Sequence, residues 1–305
     1  MSHPRLGRYP AARHTIVHLS DTHLLAGGAP LAGVVDTVAS LERVRRQLVR
    51  LAGAVTAVVV TGDVADLGEA DAYRRVRELL EPLAEELGAP LVWVMGNHDE
   101  RAEFRSALLG EAPSDEPVDR VTTIDGLRII AIDSTVPGFH HGELDAARLE
   151  RLAALLAEPA PHGTVLALHH APIPTPLAVM DVLELRGQDE LAEVLAGSDV
   201  RLILGGHLHY ATNGVFAGIP VAVAGAASYT MDLSAPPREL RGIDGGRSFN
   251  LVHLFDEQVV TSVVPITEAR EVTSFGEEFL SRLEALSPEE RIELFSRKPD
   301  TAVDR

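Results

Sequence analysis

The chain contains no cysteine, which excludes a disulfide framework and any thiolate or iron–sulfur site, and gives secretion no support. Aromatic residues make up only 4% of it, too few to show the stacking track that holds single-stranded nucleic acid. Positive charge is scarce as well. Against 45 Asp and Glu stand 27 Lys and Arg, a formal charge of −18. A surface of that sign repels polyphosphate backbones and disfavours a general DNA or RNA binder. A small anionic substrate must then be drawn in locally, which bound metal ions would do. No apolar run approaches the roughly 18 residues needed to span a bilayer. The opening Met1–Arg5 lacks the apolar segment of a signal peptide, so the expected location is the cytoplasm.

What remains is ample for a large core: 305 residues, 46% of them hydrophobic. No Ser/Gly/Pro-rich linker or internal repeat divides the chain, which favours one α/β domain over about residues 14–267 and a helical tail over 268–305. Short β-branched or aliphatic runs predict strands at 14–20, 57–61, 91–95, 127–132, 164–168 and 201–204. Between them, apolar residues at helical spacing predict helices at 36–52 (capped by Asp36), 69–87, 145–157 and 188–195. Pro82 should bend or break the second of these. Beyond Tyr210 the pattern turns to hairpins at 215–216, 220–224, 249–255 and 259–265. Residues 274–296 read as a charged amphipathic tail with a helix start at Ser287. The final residues are expected to be disordered.

Strands alternating with helices give parallel sheet, and open α/β sheets bind ligands beyond the carboxyl ends of their strands. At such ends stand Asp21-x-His23, Gly62-Asp63, Gly96-Asn97-His98-Asp99, His169 and Gly206-His207-x-His209. Four His, two Asp and one Asn (Asp21, His23, Asp63, Asn97, His169, His207, His209) form a set of hard and borderline donors suited to Mn, Fe, Co, Ni or Zn. Two divalent ions about 3.5–4 Å apart clamp the attacking and leaving oxygens of an in-line displacement and acidify a shared water. The two carboxylates leave such a site cationic, hence attractive to a phosphodiester. Elsewhere, His18 lies within a strand and reads as a core histidine. His170 alternates away from His169, and His140-His141 follow a Pro137-Gly138 turn near the expected site mouth, where substrate contact and a solvated loop are equally open.

The phrases His18-Leu-Ser-Asp-Thr-His-Leu24, Thr61-Gly-Asp-Val-Ala-Asp66, Val94-Met-Gly-Asn-His-Asp99 and Gly205-Gly-His-Leu-His209 closely resemble the signatures of the calcineurin-like metallophosphoesterases. Within that superfamily they resemble the bacterial class III cyclic nucleotide phosphodiesterases. The resemblance implies a four-layer α/β/β/α sandwich and a homodimer. It implies one metal on Asp21, His23, Asp63 and His209, and a second on Asp63, Asn97, His169 and His207, with manganese and iron the leading metals. It also implies that His98 is the general acid and that the Asp66 carboxylate beside it raises its pKa and orients it. Relatives that dephosphorylate proteins carry arginine where this chain has Leu67, so the resemblance points to a diester substrate: 3′,5′-cyclic AMP, and cyclic GMP beside it. A broader phosphodiesterase acting on 2′,3′-cyclic nucleotides, a nuclease, and a catalytically silent metal-binding scaffold are the alternatives left open. Membrane contact is not expected beyond a peripheral one through the tail.

Overall fold

The computed structural model describes residues 6–298, so the readings of the first five and the last seven residues lie outside it. Arg13–Thr267 is one compact unit, and the segment from Glu268 groups separately with the residues before Arg13. In chain order the large unit runs β1 (His14–Leu19), α1 (Thr37–Leu48), β2 (Ala57–Thr61), α2 (Ala70–Leu87), β3 (Leu91–Val94), α3 (Arg101–Glu103), β4 (Arg120–Ile124) and β5 (Leu127–Ala131). It continues with β6 (Gly142–Glu143), α4 (Ala146–Leu156), β7 (Thr164–His170), β8 (Leu185–Arg186), α5 (Gln188–Leu195), β9 (Val200–Gly206), β10 (Thr212–Phe216) and β11 (Ile219–Val223). Two short strands, β12 (Thr230–Met231) and β13 (Gly242–Ile243), precede β14 (Ser248–Leu254) and β15 (Val259–Pro265).

One sheet has the order β15-β14-β1-β2-β3 and the other β10-β11-β9-β7-β5-β4. Strands β1, β2 and the edge strand β3 run parallel, as do β5, β7, β9 and β11, while antiparallel strands β14 and β15 complete the first sheet and β10 and β4 flank the second. Alternation along a strand explains the layering. In β2, Ala57 and Val59 join Val165, Ala167, Leu202 and Leu204 in a core between the sheets, while Val58 and Val60 face a second core with Leu41, Val44, Val76 and Leu80. In β7, Leu166 and Leu168 face a third core with Leu152, Leu156, Leu191 and Leu195. Helix, sheet, sheet and helix are thus stacked in four layers, and the inner strands are buried on both faces, which is why they read as unbroken apolar runs.

Local chemistry sets the boundaries. Asp36 Oδ1 accepts the Ala39 amide at 2.9 Å to start α1, and Asp145 Oδ1 caps α4 through Arg148 N at 2.8 Å. Helix α2 ends at Gly88 in the left-handed conformation, φ 68°. Of the expected bend or break at Pro82, the break does not occur: the helix runs on through it. The buried stripe Val76, Leu80, Leu83 and Leu87 straddles the proline, and its packing outweighs the about 3 kcal/mol that an interior proline costs. In the tail, α6 (Glu277–Glu284) is followed by α7 (Pro288–Arg291), whose Ser287–Glu290 capping box sits where the sequence puts a helix start.

Candidate metal centre

Parallel strands β1, β2, β7 and β9 bring their carboxyl ends to one edge, and the chain leaves β1, β2 and β9 through an unusual turn. Asp21, His23, Asp63, His207 and His209 all have positive φ, between 44° and 71°. Side chains rarely occupy that region, and each such residue costs on the order of 1–3 kcal/mol unless its surroundings enforce it. Here they do. Asp21 N donates to Gly62 O (3.0 Å), His23 N to Asp63 O (2.9 Å) and Ser228 N to Asp21 O (3.1 Å), while the His207 amide donates to the Asp21 carboxylate at 3.1 Å. Gly62, at φ 90°, lets two loops meet. A Cβ there would stand 2.5 Å from His169 Nδ1 and 2.6 Å from Gly96 N.

The side chains so delivered converge. Ligand atoms of Asp21, His23, Asp63 and His209 all lie within 4.8 Å of one another, as do nitrogens of His169, His170 and His207. Asp63 Oδ2 stands 3.4 Å from both His23 Nε2 and His169 Nε2, the position a shared ligand requires. Asn97 Oδ1 lies 3.1 Å from His169 Nε2, and His209 Nε2 lies 3.4 Å from Asp21 Oδ1.

Hydrogen bonds on the far side of each ring decide what these nitrogens present. His23 Nδ1 donates to Asp66 Oδ1 (2.9 Å), His169 Nδ1 to Thr61 O (2.6 Å), His209 Nδ1 to Tyr229 O (3.1 Å) and His207 Nε2 to Leu183 O (3.1 Å). Each neutral ring therefore turns a lone pair inward, and an outer partner of this kind is what fixes a metal-ligating histidine. Two inward lone pairs, His23 Nε2 and His209 Nε2, are only 3.1 Å apart. Such a pocket has acceptors facing acceptors and needs positive charge. Protons can supply part of it. Burial pushes His23 and His169 down, yet Asp63, Asp21 and, for His23, Asp66 together carry them up to about 10 and about 9. Burial holds His207 and His209 down at about 3, keeping them neutral. Despite burial, the His169 and His23 rings hold the Asp63 carboxyl well below its usual range. The donor set fits two divalent cations, which would take the place of those protons.

Next to the donors, Asp66 stands beside both His23 and His98. Its carboxylate is hydrogen-bonded to His23, and Asp66 Oδ1 is 3.8 Å from His98 Nδ1. What holds His98 is the backbone carbonyl of Asp66, which accepts from His98 Nδ1 at 2.8 Å. The His98 amide donates to Asp63 Oδ1 (2.9 Å) and its ring packs edge-on to His23. His18 is the expected core histidine, bonded to Thr61 Oγ1 at 2.9 Å. His170 is buried against Ser134 Oγ and the His140 carbonyl. His140 reaches Asn97, and His141 packs edge-on to Phe139. Asp133, at the end of β5, is consumed by Arg101, Val118 and Thr135.

Residues 14–211 match the family described as calcineurin-like phosphoesterase. The chain belongs to the calcineurin-like phosphoesterases. It is 52% identical over 271 residues to a Mycobacterium tuberculosis protein named cAMP/cGMP dual specificity phosphodiesterase MT0825, covering 89% of this chain and 85% of that one. It is 32% identical to the Pseudomonas aeruginosa 3′,5′-cyclic adenosine monophosphate phosphodiesterase CpdA, covering 76% of this chain and 86% of the relative. In fold it resembles a dimetal phosphatase from Danio rerio, with TM-score 0.59 and 14% identity, over 84% of this chain and 98% of that chain. As a calcineurin-like phosphoesterase, this chain is a four-layer α/β/β/α enzyme built for a dinuclear metal centre.

Two contributors to this phosphoesterase centre escape sequence reasoning. Asp99 accepts the amides of Val64 (3.1 Å), Ala65 (3.0 Å) and Gly96 (2.9 Å), tying the Gly62-Asp63 loop to the Gly96–Asp99 loop. Its position in Gly-Asn-His-Asp was a signal, but nothing in the spacing gives it that task. Tyr229 packs its ring 4.3 Å from that of His209 and accepts His209 Nδ1 on its carbonyl, with no motif to mark it. Burial, with the charges of Asp21, Asp63 and Asp66, pushes its phenol up to about 12, so it stays protonated.

Proposed function

We propose that the chain hydrolyses 3′,5′-cyclic nucleotides, cyclic AMP and cyclic GMP, to 5′-monophosphates at a pair of transition-metal ions, manganese and iron being the leading candidates. The observation that carries this reading is that Asp63 Oδ2 stands 3.4 Å from both His23 Nε2 and His169 Nε2, with Asp21 and His209 clustered with His23 and Asn97 next to His169. Both named relatives given above act on cyclic nucleotides, which supports the substrate. Bound there, two divalent ions would polarise the phosphoryl oxygens and make hydroxide available near neutral pH. The second cation position would be held by Asn97, His169 and His207 with Asp63 shared.

The rest is done by the chain. His98 keeps one ring proton on the Asp66 carbonyl through Nδ1, so in the imidazolium form the second proton sits on Nε2, which gives it to the departing alkoxide and is left with a lone pair. Leu67, 66% exposed, brings no charge to the position where phosphoprotein phosphatases carry arginine. Arg101, which follows the Gly96–Asp99 loop, is committed to Asp133 Oδ2 (2.9 Å) and to the Thr135 and Asp115 carbonyls. A site without a free guanidinium clamp suits the single charge of a diester better than the double charge of a monoester. Among the described residues no helix is long and apolar enough to cross a membrane. The same reading makes residues 14–267 the catalytic domain and 268–305 an appended tail, and the enzyme a cytoplasmic homodimer.

The test is turnover of 3′,5′-cyclic AMP, 3′,5′-cyclic GMP, 2′,3′-cyclic AMP and nitrophenyl phosphate by purified protein of measured metal content. Preferred hydrolysis of the monoester would overturn the diester reading. Two bound metals with no turnover of any ester would favour a scaffold. Asp63→Ala should lose activity together with at least one metal.

A further inference from the structure

The Asn97 carboxamide stands between two histidines. Its Oδ1 lies 3.1 Å from His169 Nε2, on the side where cations are expected, and its Nδ2 lies 2.9 Å from His140 Nδ1. A carboxamide is nearly symmetric in shape, and a half-turn about its last torsion exchanges an oxygen that can ligate a cation for an NH2 that cannot. Something must hold the oxygen inward. His140 Nδ1, with its lone pair directed at Nδ2, does so, because in the flipped state that lone pair would confront Oδ1.

The His140 loop is itself held in place. The buried His170 ring donates through Nε2 to the His140 carbonyl (3.1 Å) and accepts from Ser134 Oγ through Nδ1 (2.8 Å). Gly142 lies flat on the same ring, where a Cβ would come within 2.5 Å of His170 Cγ. Gly142 N donates to Glu184 O and Glu143 N to Ser134 O, which closes the loop onto the end of β5. His140 also packs beside His98, ring centroids 5.2 Å apart.

We propose that His140, braced by His170 and Gly142, is a positioning residue that sets the Asn97 carboxamide oxygen toward the second cation. The inference rests on the dinuclear reading above. Its test uses the full chain, stripped of metal and titrated with manganese alone against a chromophoric chelator, the second equivalent being followed also by the magnetic coupling of paired manganese ions. His140→Ala and His140→Phe should weaken the second equivalent about tenfold, the lower end for outer partners of ligands, and leave the first unchanged. His140→Gln, which restores an acceptor, should recover most of the loss. The half-buried neighbour His141→Ala, whose ring lies against Phe139, should behave as wild type. A general loosening of the loop would instead lower the thermal midpoint alike in the Ala and Gln variants with no rescue, and that result overturns the proposal. So does tight binding of two manganese ions by His140→Ala. If wild type itself binds only one ion, the dinuclear reading falls first and this inference with it.

Discussion

Replacing Asp66 with Asn removes the charge of the group that receives His23 Nδ1 but nearly preserves its shape. The bond is 2.9 Å long and the Asp66 side chain is 20% exposed, so it is largely but not wholly shielded from water. A hydrogen bond to a charged partner contributes about 1.5–3 kcal/mol and a neutral one about 1 kcal/mol. The exchange therefore costs the His23 orientation roughly 0.5–2 kcal/mol, or about 2- to 30-fold in affinity for a cation on His23. Asn can also present its NH2 to His23 Nδ1, which would move the ring proton to Nε2 and block ligation there, so the loss should fall in the upper part of that range. Asp66→Ala leaves the Nδ1 proton without its acceptor and should reach the about 100-fold end known for such partners.

The assay is a titration of metal-free protein with manganese, paired with turnover of a cyclic nucleotide and of a nitrophenyl diester. If Asp66 works through His23, affinity for one metal drops, and saturating metal restores both substrates in step. If it works instead through His98, as the motif alone suggests, metal binding stays at the wild-type level. Only the substrate with the poor leaving group then slows. The second pattern would refute the assignment drawn from the 2.9 Å and 3.8 Å distances.

Gly62→Ala sets a Cβ 2.5 Å from His169 Nδ1 and 2.6 Å from a backbone nitrogen at φ 90°; a destabilisation of about 2 kcal/mol or more is expected, read by thermal unfolding, and a wild-type midpoint with full metal content would contradict it. His18 is pushed down to about 3 by burial from a model-peptide value of 6.5. The unfolded chain thus binds the extra proton, and stability present above about pH 6.5 is lost as pH falls, by about 2 kcal/mol at about pH 5. Urea unfolding of metal-free protein at about pH 7.5 and about pH 5 should show that increment in wild type and lack it in His18→Gln; equal increments would sink the prediction. Tyr73→Phe strips the Glu100 amide of its 2.9 Å acceptor while keeping the ring against Phe104. The donor is only part-buried, so the loss should sit near the low end of the about 1–3 kcal/mol that an orphaned buried donor costs, and a loss within about 0.3 kcal/mol in urea would show the loop has another way to satisfy it.

The sequence makes the donors legible because a parallel strand buried on both faces is a continuous apolar run, and a polar residue directly after it lies at the sheet edge. Asp21, Asp63, Asn97, His169 and His207 each follow such a run. The first helix start and the tail's capping box were equally visible, since Asp36 and Ser287 satisfy amides within three residues of themselves. Strand β4 was not, although a signal existed. Asp125-Gly126, with φ 46° and 86°, is a type I′ hairpin turn, and Arg120–Ile124 beyond it alternates half-buried and exposed residues along a sheet edge. The direction of the Asp66 carboxylate could not be read at all. It depends on His23 and Asp63 adopting left-handed backbone, a conformation that local preference opposes and that only the contacts between β1, β2 and β9 enforce. Where tertiary contacts override local preference, spacing names the residues but not the partners they face. At this centre the spacing names Asp66, but not that its carboxylate stands 2.9 Å from His23 Nδ1 and 3.8 Å from His98 Nδ1.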